Sequence, residues 1–431
     1  MQQPSSRIDT LDALRGVAIL GILLMNIIWF GMPEKAVEDL GIRGEYSGPN
    51  YWAWWVIEGY FHGNMRGIFS MLFGASAVLI LEQYAQRNNL DSAAEYYYRR
   101  LVVLFLFGLF NAFILLWPSD ILFTYAIAGM FVFPLYRLPI KRILVIAGVV
   151  MLLYCMRTTW LSHKPIRLKQ AAQSALVIDT FKKPLTRIQK ADIEAWNTYV
   201  QEQTPEYKRK VDEDQVERTQ GDFWTFFLYS ASISYFLETS LFYDFFFLDA
   251  FPFMLIGIVL YRMSILTGKR SKRFYLNLGL VGYAMGLPLY YWMAATKIKY
   301  GFDPYQIALH EPFYFHPFGR LAMTLGNLGF LIFLFKLPIM SWFKQLMLPV
   351  GRMAFTNYLM QSIICALIFS GFAFGMFNKL QRYELYYVVG CIWIFQIVFS
   401  HIWMYFFVIG PLEWLWRSAA LGAWQKFDRR K

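Results

Sequence analysis

The sequence predicts an all-α protein that crosses a membrane about ten times with both termini in the cytoplasm. Three observations carry that prediction. Of 431 residues, 57% are hydrophobic and only 16% charged, against about 25% charged in soluble globular domains. Several apolar runs approach the roughly 20 residues a helix needs to span a bilayer. Lys and Arg gather in alternate loops, notably Arg99/Arg100, Lys141/Arg142, Lys269 to Arg273 and Arg429 to Lys431, which is the positive-inside pattern. The net charge is +12, and the positive residues fall mainly in the loops expected to be cytoplasmic. The expected partner is therefore membrane lipid, and no nucleic acid is implied.

In chain order, residues 1–156 supply five expected spans. The first runs from Ala13 to Gly31 and ends before Pro33, too long for a cleaved signal peptide. On it Asp12 and Arg15 share a face, and Asn26, eleven residues on, falls on the same stripe about 16 Å deeper. Such a stripe should face protein or a water-filled cavity rather than lipid. It is either an interfacial ion pair that sets topology or the lining of a site. The second span is expected near Ile68 to Leu81. The third and fourth, about Leu101–Trp117 and Ile121–Leu138, form a tight antiparallel hairpin, and the fifth ends near Tyr154.

Residues 157–222 are polar, with Pro165, Pro184 and Pro205 as breaks, and read as a mostly helical extracytoplasmic segment without its own core. Residues 223–431 resume with spans six to ten, followed by a cytoplasmic interfacial helix around Gly410–Arg417. The three cysteines, Cys155, Cys365 and Cys391, each lie in an apolar run and read as buried free thiols; no metal-ligand spacing is present.

Four stretches could hold chemistry. In HGNMRGIFSMLFG, Arg66, Ser70 and Gly74 are spaced by four; the small residues permit close helix contact, and Arg66 either holds an anionic group or bridges Glu58 or Asp120. Histidine is the natural proton-transfer residue; His62 stands beside Arg66 at the helix entrance and is the candidate general base. Asp120 opens the fourth span, either as its cap or as a catalytic carboxyl, and Tyr125 lies just over one turn below it. In GRMAFTNYLMQS, Asn357 and Gln361 share a helix face and either make interhelical hydrogen bonds or bind a ligand. Arg352 stands at the membrane level of Arg15, so the two could grip an anionic cofactor or a lipid headgroup. In GPLEWLWR, Glu413 and Arg417 are an i,i+4 pair of an amphipathic surface helix.

LDALRGVAILGILLMN, GNMRGIFSMLFG with the later SDILFTYAIAG, and the pair GRMAFTNYLMQS and GPLEWLWR together resemble the YeiB family of bacterial membrane proteins. Residues 235–425 match what that family treats as a domain of uncharacterised function. The Asp-x-x-Arg-Gly of the first helix is similar to that of membrane acyltransferases of the heparan glucosaminide N-acetyltransferase and acyltransferase-3 kinds. The resemblance implies a protein of the bacterial cytoplasmic (inner) membrane. It also implies transfer of an acyl group from a cytosolic donor such as acyl-CoA to an extracytoplasmic acceptor, a small molecule or a glycan. On that reading Asp12, Arg15, Asn26, Arg352, Asn357 and Gln361 serve the donor. Arg66, Ser70, Asn111 and Tyr125 serve the acceptor, with His62 and Asp120 as the catalytic groups. Family members often carry a GLxH pattern in the third span, where this chain reads GLFN and places Asn111. A transporter or lipid-handling protein is the alternative, and a homo-oligomer is compatible with either.

Overall fold

The computed structural model describes residues 8–87, 90–180 and 184–427. Its helices, in order, are α1 (Asp9–Gly31), α2 (Glu34–Glu38), α3 (Gly48–Val56), α4 (Asn64–Arg87), α5 (Leu90–Phe113), α6 (Ile121–Val132), α7 (Ile140–Ser162), α8 (Lys164–Thr180), α9 (Arg187–Glu202) and α10 (Pro205–Thr219). They continue with α11 (Phe223–Phe236), α12 (Phe247–Arg262), α13 (Lys272–Lys299), α14 (Pro304–His310), α15 (His316–Phe335), α16 (Ser341–Arg352), α17 (Ala354–Phe369), α18 (Leu385–Phe406) and α19 (Pro411–Leu421). No β-strand occurs among the described residues.

Among the described residues six helices are long and apolar enough to cross a membrane: Asp9–Gly31, Gly48–Gln86, Ile140–Ser162, Phe223–Arg262, His316–Phe335 and Leu385–Phe406. A seventh arises if Pro338–Arg352 and Ala354–Phe369, bent by 77° at their junction, form one broken span. About ten were expected. The difference has a physical cause in two places. Helix α6 has only 12 residues, about 18 Å of rise against a hydrocarbon core near 30 Å. The expected ninth span begins at the sharp bend after α16 rather than continuing it.

The apolar exterior agrees with a lipid surround. Only 28% of the apolar window of α18 and 33% of that of α7 are buried inside the protein. Val145, Val149, Leu153 and Met156 on α7, and Ile394, Val398 and Ile402 on α18, point outward. Such a perimeter is costly in water and ordinary in hydrocarbon.

Helix α1 is the axis of the bundle. Between Leu11 and Gly31 most of its residues are buried. It crosses α16 where Gly16 meets Gly351 backbone to backbone. Helices α4 and α12 cross the same way at Gly74 and Gly257. Close backbone approach of this kind lets membrane helices pack by van der Waals contact, since lipid supplies no hydrophobic drive.

The polar stretch forms α8, α9 and α10, and α9 buries none of its residues. Its N-terminus is held by a capping box between Thr186 and Gln189. The segment is fastened to the bundle through α10. The Asp212 carboxylate accepts from the Lys35 and Ala36 amides (2.8 and 2.9 Å), Gln215 accepts from the Glu34 amide, and Lys208 pairs with Asp39 at 2.9 Å. These contacts cap the first turn of α2 from a distance in sequence of more than 170 residues. Cys155 and Cys365 are buried free thiols; Cys391 is exposed, which corrects its expected burial.

Candidate functional site

Two cavities enter the bundle from opposite ends of α1. The larger, about 980 Å³, is lined by the later part of α1 (Ile22, Met25, Asn26, Trp29), by His62 and Arg66, and by Tyr207 and Lys208 of α10. The smaller, about 330 Å³, is lined by Asp12 and Arg15 from the start of α1, by Ser76 of α4, and by Arg100, Arg352 and Arg417. The expected stripe on α1 is thus divided. Asp12 and Arg15 face one cavity and Asn26 the other.

In the large cavity a π-helical turn, Ile57–Phe61, precedes α4. It ends at His62, and Gly63 then turns the chain with φ +73°, a left-handed conformation in which a side chain would also strike Arg320. The turn sets His62 Nδ1 2.7 Å from Glu58 Oε2. Lys297 holds the other carboxylate oxygen of Glu58. A carboxylate only accepts, so Nδ1 carries the proton and Nε2 is the basic nitrogen. The Tyr290 hydroxyl donates to the His62 carbonyl at 2.7 Å and fixes the turn. Beside it lies His316, ring centroid to ring centroid 4.4 Å.

Arg66 pairs with Asp249 at 3.0 Å, and the same carboxylate binds the buried Arg320. The Arg66 partner is therefore neither Glu58 nor Asp120, the two expected from sequence. Asp249 carried no motif; its signal was a lone carboxylate inside an apolar run. Ser70 Oγ lies 2.5 Å from Tyr125 Oη, and Tyr125 also donates to the Arg66 carbonyl at 3.3 Å. The pair lies next to the stretch of α4 where one cavity gives way to the other. On α4 the large cavity reaches Met65 and Arg66 and the small one begins at Phe69, a separation of about one helical turn, roughly 5 Å.

In the small cavity Asp12 stands between the two arginines. Arg15 donates to Oδ1 at 2.7 Å, and the Arg352 guanidinium lies 3.5 Å from Oδ2. Arg15 also reaches Ser76 Oγ at 2.5 Å. The Arg100 guanidinium lies 4.1 Å from the Trp416 ring centroid, and Trp416 Nε1 donates to the Arg100 carbonyl. Arg417 lines the cavity, and one turn before it on α19 stands the carboxylate of Glu413. It accepts from the Phe355 and Thr356 amides (2.8 and 3.0 Å) and the Thr356 hydroxyl (2.6 Å), capping α17. Burial pushes the Glu413 carboxyl above its ordinary range, and the Thr356 and Phe355 donors pull it back.

Besides Ser70 and Tyr125, four expected site residues line neither cavity: Asn111, Asp120, Asn357 and Gln361. Asp120 caps α6 through the Phe123 amide (2.8 Å) and accepts from Asn111 Nδ2 (2.7 Å) and the Tyr358 hydroxyl (3.2 Å), so the Asn111 amide nitrogen is engaged by Asp120. Asn357 donates to the Val350 carbonyl and Ser400, and Gln361 to the Ile19 carbonyl and Gln396, all at 3.0 to 3.2 Å. These are interhelical locks of the kind two amides on one face commonly make in hydrocarbon. Among the described residues no group of His, Cys, Asp and Glu could hold a metal ion.

Comparison with known proteins bears on the C-terminal motifs first. The family described as "Protein of unknown function (DUF418)" matches residues 260–423, which include GRMAFTNYLMQS and GPLEWLWR. The chain is 27% identical to uncharacterized protein YxaH of Bacillus subtilis (strain 168), over 99% of this chain and 97% of that one. It is 28% identical to uncharacterized protein YeiB of Escherichia coli (strain K12), over 96% of each. It is 25% identical to an uncharacterized 39.9 kDa protein in the amylase 3' region of Bacillus acidopullulyticus, over 95% of this chain and 93% of that one. No solved structure matches significantly. That domain in its C-terminal part and the similarity to YxaH and YeiB from end to end support a YeiB-family protein.

Proposed function

We propose that the protein is a membrane acyltransferase of the bacterial cytoplasmic membrane, taking an acyl group from a cytosolic donor of the acyl-CoA type to an acceptor on the other side. In this reading the Arg-rich small cavity faces the cytoplasm, as do both termini. The observation that carries it is the Glu58–His62 pair in one cavity, about two turns before the point on α4 where a second, cationic cavity begins. A histidine oriented by a carboxylate is the usual form of a general base. Arg15, Arg100, Arg352 and Arg417 provide the charge that phosphate groups of a donor need, and Glu413 is neutralised locally by the helix it caps. The acyl end would pass the Ser70–Tyr125 pair to meet the acceptor beside His62. There His62 Nε2 takes the acceptor's proton as its heteroatom attacks the acyl carbonyl carbon, and the donor's thiolate leaves.

Purified protein incubated with radiolabelled acetyl-CoA tests this. Release of free thiol with retention of label on an acceptor or water is expected, and H62A should lose that release while still retaining the donor. Absence of any CoA binding by the wild-type protein would end the proposal. A transporter is the second reading, favoured by one observation, that the two cavities approach each other to within about one turn along α4. Movement of a solute into proteoliposomes with no covalent change would select it.

A further inference from the structure

Residues that line the large cavity carry buried polar atoms with no partner among the described residues. They are Arg66 Nε, Glu311 Oε1, Arg382 Nη1 and Tyr386 Oη. Buried polar groups are nearly always paired, and each one left alone is costly. Their gathering around one cavity marks a place prepared for a ligand that supplies the missing partners. The unpartnered set includes cationic donors and one anionic acceptor, so the ligand must bring both an oxygen acceptor and a donor. The wall as a whole carries five Lys or Arg against six Asp or Glu. A wall without excess charge of either sign does not select a simple anion.

Two of these residues flank the Glu58–His62 pair. Arg66 follows His62 by one turn, with Nη2 committed to Asp249 and Nε left over. Glu311 ends α14, near Lys297, the residue that holds Glu58. Its loop is fixed to the end of α7, where His163 Nε2 lies 3.1 Å from the Glu311 carbonyl and the Tyr314 amide donates to Thr159 at 2.9 Å. Burial raises the Glu311 carboxyl above its ordinary value even with Lys297 nearby, as expected of a carboxylate short of a partner. One further part of the wall is apolar. Ile22, Met25 and Trp29 recur at helical spacing on the cavity face of α1, giving an apolar strip that leads away from this polar corner.

We infer that the large cavity binds an aminophospholipid of the ethanolamine type. Its phosphate meets Arg66, its ammonium meets Glu311, and its acyl chains run along the Ile22–Met25–Trp29 face of α1. Each part answers one observation. The phosphate oxygens accept from Nε, the ammonium donates to Oε1, the headgroup as a whole carries no net charge, and only an amphiphile uses the apolar strip. A choline headgroup has no N–H to offer Glu311, and a glycerol headgroup brings an anion without a cation. This deepens the transferase reading by naming the acceptor class, and it rests on that reading only in calling the lipid an acceptor; the binding stands by itself.

The test is a thermal melt of the full-length protein in detergent with no acyl donor present. Dihexanoyl-phosphatidylethanolamine, -phosphatidylcholine and -phosphatidylglycerol are added at equal concentration below their micelle thresholds. The ethanolamine lipid is expected to raise the melting temperature by a few degrees while the other two leave it unchanged. E311Q and R66K should each abolish that rise; R66K keeps the charge facing Asp249 and removes Nε–H, so it remains folded where a neutral substitution would strand Asp249. An equal rise with the glycerol lipid would make this an anion site and overturn the inference. An equal rise with the choline lipid, or no rise with any, would overturn it too. Because no thioester is present, a failure of acyl-CoA turnover leaves this result intact, and a failure here leaves the transferase assay to be judged alone.

Discussion

Gly351→Ala is the sharpest perturbation of the bundle. A Cβ at Gly351 would lie 2.7 Å from the Gly16 amide nitrogen and 2.7 Å from the Asp12 carbonyl carbon, and nearer still to that carbonyl's oxygen. Ordinary contact begins at 3.4 Å, so α1 and α16 must part by at least about 0.7 Å, and neither neighbour is a side chain that could rotate away. Overpacking in a well-filled core costs about 1–3 kcal/mol and more where backbone must move. Here the upper part of that range is expected, because Gly16 meets the Met347 backbone across the same crossing. The displacement also pulls Arg352 away from Asp12, so the small cavity should change shape as stability falls. Gly148→Ala and Gly390→Ala are the controls, since an added Cβ there meets nothing within 4 Å; both lie inside helices, where Ala is favoured over Gly by about 1 kcal/mol. Thermal unfolding in one detergent reads all three. If Gly351→Ala melts with the controls, the crossing is looser than described and the account of the small cavity fails with it.

Other outcomes follow from the same structure. Arg382 is wholly buried and pairs with Glu45 at 2.6 Å; R382A strands that carboxylate and should cost about 3–5 kcal/mol, whereas R382M/E45L should cost much less, as a double-mutant cycle of melts would record. Asp212→Ala removes both carboxylate bonds to the first turn of α2; a loss of about 0.5–2 kcal/mol is expected, seen as faster proteolysis within 157–222 while the membrane core stays protected. Glu311 titrates above its ordinary 4.5 in the folded chain. From 4.5 up to its folded value the native state therefore holds more protons than the unfolded one, so stability is fully present below 4.5 and declines as pH rises through that window. E311Q should flatten that part of the melting temperature against pH; an unchanged slope would assign it to another group.

Much of the architecture could be read directly from particular residues. Pro33 ends the first helix, the polar composition of 157–222 separates it from the apolar runs, and the small residues Ser70 and Gly74 announce a close helix contact. The helix breaks could not be read. The bend after Arg352 and the π-helical turns at Ile57–Phe61 and Leu237–Phe246 change no hydropathy average, and length alone merged or multiplied the spans. Within the site, Arg15, Arg352, His62, Arg66 and Asn26 do line cavities, because a charged or polar residue in an apolar helix has few other places to go. Asn357 and Gln361 obey the same pressure by bonding neighbouring helices, and nothing in one sequence separates those two solutions. Glu58, Lys297, Asp249 and Glu311 gained their meaning only from residues far along the chain.

The sequence by itself determined that this is a helical protein built for an apolar surround, where its polar segment lies, and which few polar residues had to be sheltered from lipid. Those follow from solvation, which acts on each residue locally. Only the tertiary structure decided the partners: that Asp12 stands between Arg15 and Arg352, that Glu58 orients His62, that Asp120 caps a helix, and that two cavities end one turn apart on α4. Pairing depends on where helices cross, and the crossings are fixed by backbone contacts at Gly16, Gly74, Gly257 and Gly351, residues whose role becomes visible only when the facing helix is in place.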